Sequence, residues 1–173
     1  YPNTFNIAIT ASCEHLTALM ATTFFSEKST MQGAHPFVRA LFAWHSIEEM
    51  EHRDVAYDVM VKVAKTPNAV RYTALILVTM MMFGFTMQRT NGLLKHDGFT
   101  RVERIKMFGH GLKWLIGRKG ILTVKKQEYL DWFHPNFHPN QHPVIQQYQV
   151  WIDALANTQD PIHAGEAFWQ AAN

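Results

Sequence analysis

Four side chains in the run WHSIEEMEHRDVAYD, residues 44–58, are of the types that bind metals and move protons. On a helix turning about 100° per residue, His45, Glu48, Glu49 and His52 fall within one arc of about 100°, while Glu51 and Asp54 point elsewhere. Val38, Leu41 and Phe42 precede them on the same stripe, and Ala56 and Val59 continue it. A carboxylate buried on an apolar stripe costs several kcal/mol unless it is paired or protonated. A shared divalent cation removes that penalty, and carboxylate oxygen with imidazole nitrogen suits iron, manganese or zinc. Glu49-x-x-His52 has the spacing with which di-metal bundles project ligands inward, and His45 adds a third ligand one turn earlier. The competing reading is a solvated face carrying an i,i+4 ladder such as Glu49 with Arg53.

A site of two metals needs carboxylates from other helices. Glu14 is the only acidic residue before Phe25. Its face carries Ile7, Thr10, Ala11, Thr17, Ala18 and Ala21, mostly small residues that let a neighbouring helix approach closely. His15, about 100° away, suits a supporting or surface role.

The elements that must hold these residues read as helices almost throughout: about 4–26, 36–65, 68–94 and 100–116, a fifth to about Trp132, then 144–156 and 160–171. Pro36 suits a first turn, Thr66-Pro67-Asn68 and Asp97-Gly98 break the chain, and the stretch from Ser26 to Pro36 reads as a linker. Residues 133–143, FHPNFHPNQHP, form a loop, because proline after each histidine opposes helix. His134, His138 and His142 therefore read as turn and packing residues, with an accessory metal site as the alternative. No segment carries hairpin or period-two signals, so the class is an all-α bundle in one domain, 1–173.

The 173 residues suffice for a core, with 47% hydrophobic and 17% charged residues and a net charge of +2. The single Cys13 excludes an internal disulfide, and a reducing cytoplasm is the expected compartment. No signal peptide is evident. Residues 72–87 hold no charge, but 16 residues fall short of the roughly 20 that span a bilayer. A buried core helix is expected, with membrane association through 72–87 as the alternative. Residues 101–126 carry eight Lys or Arg against one Glu, which reads as a solvated face or as a surface for an anionic substrate or lipid head groups. Phosphate loops and nucleophile elbows are missing, and nucleic acid is not an expected partner. Phe42 and Trp44 beside the ligands suit a small apolar or aromatic substrate, or ordinary core packing. His163-x-x-Glu166 reverses the ligand order and reads as a surface helix.

The segment AWHSIEEMEHRDVAYDV resembles the signature of the bacterial, ferritin-like "predicted metal-dependent hydrolase" family. ASCEHLTALM is similar to that family's glutamate-bearing helix and YLDWFHPNFHPNQHP to its His-Pro loop, so the likeness spans about residues 7–155. The ligand pattern alone is also similar to that of dinuclear iron N-oxygenases. The resemblance implies Glu14, His45, Glu49 and His52 as metal ligands, Glu48 as a neighbouring or shared carboxylate, and two metal ions, iron first, with manganese or zinc as alternatives. It departs from the pattern in having one Glu-x-x-His, since Glu103, Glu128 and Glu166 lack a histidine three residues on. The family carries the other half-site upstream, so the chain reads as the C-terminal part of a longer protein. Oxidase or oxygenase chemistry with dioxygen is the first functional expectation. A metal-dependent hydrolase and a non-catalytic metal-binding or membrane-associated bundle are the alternatives.

Overall fold

The computed structural model describes residues 3–25, 28–118, 120–142, 145 and 147–172. Tyr1, Ser26, Glu27, Lys119, Pro143 and Val144, which figure in the expectations above, lie outside them.

The chain folds as α1 (Asn3–Phe24), α2 (Lys28–Met31), α3 (Pro36–Asp58), α4 (Asn68–His96), α5 (Arg101–Ile116), α6 (Ile121–Val124), α7 (Lys126–Asp131), α8 (Gln147–Thr158) and α9 (Pro161–Gln170). No strand occurs among the described residues. The stretch read as a linker holds the single turn α2, and the expected fifth helix is divided at Lys125 into α6 and α7. Beyond Asp58 the helix runs on as a π turn, Val59–Val63, closed by the Ala64 amide on the Val59 carbonyl.

Local chemistry accounts for the helix boundaries. Pro36 occupies the first turn of α3, and His35 Nδ1 accepts the Phe37 amide at 3.2 Å. Thr100 and Glu103 close a capping box on α5, with the Thr100 amide donating to Glu103 Oε2 at 2.8 Å. Gly98 takes φ +87° beyond the end of α4, a conformation that favours glycine.

The core is built around α1 and α3. α1 packs on α3 and α4, α3 packs on α9, and α8 packs on α9. Small residues let α1 and α3 approach: Ala18 and Ala21 meet Met50 in one buried cluster. At the α3–α9 crossing a Cβ on Gly165 would come within 2.4 Å of Ala40 Cα, so only glycine fits. Arg39 of α3 grips Glu166 of α9 through both carboxylate oxygens at 2.8 Å and lies over the Trp169 ring. The reversed His163-x-x-Glu166 pattern thus contributes a helix clamp.

The His-Pro loop is fastened under α3 and α4. Buried Arg71 donates to the Tyr57 hydroxyl and, at 2.7 Å, to the His134 carbonyl. Tyr57 donates to the Phe137 carbonyl at 2.5 Å, and Trp132 Nε1 donates to the Arg71 carbonyl. His138 pairs with Asp58 and His142 with Asp131, each at 3.0 Å. His134 and His138 also accept the amides two residues on through Nδ1. The three histidines are tethers, as the turn-and-packing reading expects.

Two expectations about burial are corrected. The segment 72–87 is not a core helix: only Arg71, Ala74, Leu75 and Val78 of α4 are buried. The stripe of Val38, Leu41, Phe42 and Val59 does not face the core either, for all four are exposed. The buried side of α3 is Ala40, Ala43, Ser46, Ile47, Met50, Arg53 and Tyr57. Docking of α9 at Ala40 selects that side, leaving the larger side chains on the open one.

Candidate metal centre

The ligand-type side chains gather where α1 crosses α3. α3 is regular through 45–52, so His45, Glu48, Glu49 and His52 share one arc as their spacing requires. Glu49 is at its inner edge, with a side chain 13% exposed. Its Oε1 lies 3.3 Å from His45 Nε2, and the Thr17 hydroxyl of α1 donates to its Oε2. Glu48 is half-buried, while His45 and His52 are exposed. Glu49 has no link to Arg53, which instead donates to the His142 carbonyl at 2.9 Å and lies 3.4 Å from Asp54. Of the ladder considered for this face, the Glu49–Arg53 pair does not form, whereas the i,i+4 pair His45–Glu49 does.

Glu14 reaches the same place from α1. Its carboxyl is in hydrogen-bonding reach of Glu49 and within the electrostatic field of His52 and His45. Partial burial pushes its pKa up, and the negative charge of Glu49 adds to that, against the smaller opposing pull of the two imidazoles. Cys13 is raised too, by burial first and then by Glu14 and Glu49. Two carboxylates from different helices thus face one another with imidazoles alongside. Among the described residues no three His, Cys, Asp or Glu side chains are gathered tightly enough to hold a metal ion as they stand.

His15 is not the surface residue that one of its two expected roles would make it. It is buried, stacked on Trp132 with ring centroids 4.7 Å apart and edge-on to Phe137 at 5.6 Å. Burial lowers its pKa to about 3, with His142 and Arg53 adding to the effect, so the ring stays neutral. Phe42 and Trp44 lie on the open side of α3 and do not line the large apolar cavity beside α1. Thr17, absent from the expected set, orients Glu49. Its position three residues after Glu14, on the face turned to α3, is the signal that could have found it.

A model of the family described as "predicted metal-dependent hydrolase" matches residues 1–143. The chain belongs to that family. The match takes in the α1–α3 crossing and the His-Pro loop, and the description implies a divalent metal. It agrees with the hydrolytic alternative, and nothing in it supports the dioxygen chemistry expected first. Searches of curated proteins and of solved structures return no match to the chain.

Proposed function

We propose that this member of the metal-dependent hydrolase family catalyses hydrolysis with a divalent metal held at the α1–α3 crossing by Glu14, Glu49, His45 and His52. The observation that carries the reading is that Glu14 and Glu49 face one another across two helices, where burial first and the Glu49 charge second raise the Glu14 pKa. Like charges brought together in a folded protein call for a counter-ion, and mixed carboxylate and imidazole donors fit manganese, iron or zinc. The exposed imidazoles of His45 and His52 share the arc of Glu49 and turn onto an ion without moving the backbone.

The chain's own residues then divide the work. Thr17 fixes the Glu49 carboxylate by hydrogen bonding Oε2, leaving Oε1 toward His45. Protons would compete with an ion for the Glu14 carboxyl, whose pKa is raised, so affinity would rise with pH. Glu48, half-buried on the same arc, serves as the carboxylate that bridges or takes a proton from the attacking water. When bound, a divalent metal supplies a water of lowered pKa and polarises the bond to be cleaved. The open side of the crossing, flanked by Phe42 and Trp44, admits a small apolar or aromatic substrate.

Elemental analysis and a panel of chromogenic esters and phosphate esters test the reading. The protein equilibrated with Mn²⁺, Fe²⁺ or Zn²⁺ and desalted retains metal and hydrolyses a member of the panel. Glu49→Gln and His52→Ala each lose about tenfold or more in affinity and activity. Equal metal retention by the parent and both variants overturns the assignment of the ligands.

A further inference from the structure

The hairpin of α4 and α5 leaves its apolar residues uncovered. In α4, Met80 and Leu93 are 66% and 67% exposed, and Met81 and Phe85 are also open. In α5 no residue is buried, and Ile105 and Trp114 are 62% and 51% exposed. On the α5 helical wheel Lys106, His110, Lys113 and Glu103 occupy a narrow polar arc, and apolar residues fill most of the remainder, interrupted by Arg101 and by Arg104, which is tied to Asn91 of α4. The middle of α4 is apolar on every side. Between the hairpin and α1 lies an apolar cavity of about 770 Å³, bounded by Leu16, Leu19, Met82, Met87, Phe108 and Leu115.

We propose that this hairpin docks the protein onto an anionic lipid surface. Two physical features single out lipid as the occupant. A partner helix covers one side of α4, whereas acyl chains cover all sides, as the distribution of its apolar residues requires. The flanking charge is also predominantly positive: Arg89 and Lys95 on α4, then eight Lys or Arg over 101–126, against Asp97 and Glu103. Basic residues beside an amphipathic helix favour anionic head groups. The hairpin enters one leaflet and does not cross. The N-terminal part of α4 is held in the bundle by buried Arg71, Ala74, Leu75 and Val78. The uncharged remainder, Thr79 to Gln88, is followed by Arg89, Lys95, Asp97 and Arg101, which stay at the head groups, so the hairpin lies along the interface. The cavity behind it receives acyl chain ends.

Vesicle flotation of the intact protein tests this with phosphatidylcholine alone and with phosphatidylcholine containing about a third phosphatidylglycerol. The protein floats with the anionic vesicles, and added salt weakens the capture. The double variant Ile105→Glu, Trp114→Glu loses about tenfold or more in partitioning while its helical circular dichroism is unchanged, since both residues are exposed. Equal capture by neutral vesicles overturns the electrostatic half of the proposal. Undiminished capture of the double variant overturns the assignment to the hairpin. Absence of capture overturns the whole, and a dimer that the double variant converts to monomer then identifies the face as a contact between copies.

Discussion

Replacing Glu49 by glutamine separates a carboxylate pair awaiting an ion from a carboxylate that merely supports the fold. The substituted amide keeps a carbonyl oxygen to accept the Thr17 hydroxyl but removes the charge facing Glu14. Two unit charges about 4 Å apart repel by about 1 kcal/mol in water-like surroundings, and the partial exposure of Glu14 argues for that low figure. In a domain of this size about 1 kcal/mol moves Tm by roughly 2–4 °C. The Glu14 pKa is raised in the folded protein, so its contribution to stability is fully present below the unfolded carboxylate value and is lost as pH rises through the folded one. In chelator at neutral pH, Glu49→Gln therefore melts higher than the parent, and the gain shrinks as pH falls and the Glu14 carboxyl takes up its proton. With Mn²⁺ at about 100 times its Kd the parent gains about 2.7 kcal/mol and the variant much less, so the order of the two melting temperatures reverses. Thermal circular dichroism in chelator and in metal reads both. A variant that melts below the parent in chelator, or that gains equally from metal, refutes the reasoning.

Gly165→Ala forces α9 away from α3, because the new Cβ meets the Ala40 backbone; urea unfolding should show a loss of about 1–3 kcal/mol or more. His15 is held neutral with a pKa of about 3, so its share of stability is complete above about 6.5 and falls as pH drops toward 3, at up to about 1.4 kcal/mol per pH unit. Urea midpoints at pH 7 and pH 5 should show a smaller acid loss in His15→Phe; an unchanged loss refutes the assignment. Arg71→Leu removes the donors to Tyr57 and His134 and should cost about 2–4 kcal/mol, with faster proteolysis within 133–142.

The local elements were legible because their signals are local. Pro36, Thr100 with Glu103 and Asp97-Gly98 each act within a turn of the boundary they set. The arc of His45, Glu48, Glu49 and His52 follows from helix periodicity, and the small residues around Glu14 correctly marked a close neighbour. Which side of α3 meets the core was not legible. Periodicity shows that a stripe exists, whereas the choice of side depends on Gly165 meeting Ala40, a contact made by residues 125 positions apart. The same holds for α4. Its apolar run satisfies a core helix or a lipid-facing one, and the difference lies in Arg71, buried against Tyr57 and Trp132 by contacts distant in sequence. The burial of His15 was not legible for the same reason, since its partners Trp132, Phe137 and His142 lie far along the chain.

Those long-range contacts are unevenly distributed, and the unevenness bears on function. α3 is fastened near its start by Arg39–Glu166 and the Gly165 crossing and near its end by Tyr57 and Arg71. α1 is fixed against it by Ala18, Ala21 and Met50. Glu14 and Glu49 therefore sit on two helices whose relative position is over-determined, so that only side chains need turn to take up an ion. The far half of α4 and all of α5 have few such ties, chiefly the Arg104–Asn91 hydrogen bond at 2.7 Å. Glu14, His45, Glu49 and His52 are not among the residues that bound the hairpin cavity. Substitution of Ile105 and Trp114 should accordingly leave metal affinity unchanged, and Glu49→Gln should leave vesicle capture unchanged. Coupling between the two measurements would mean that the hairpin closes over the crossing, and would place the lipid-facing surface and the metal site in a single device.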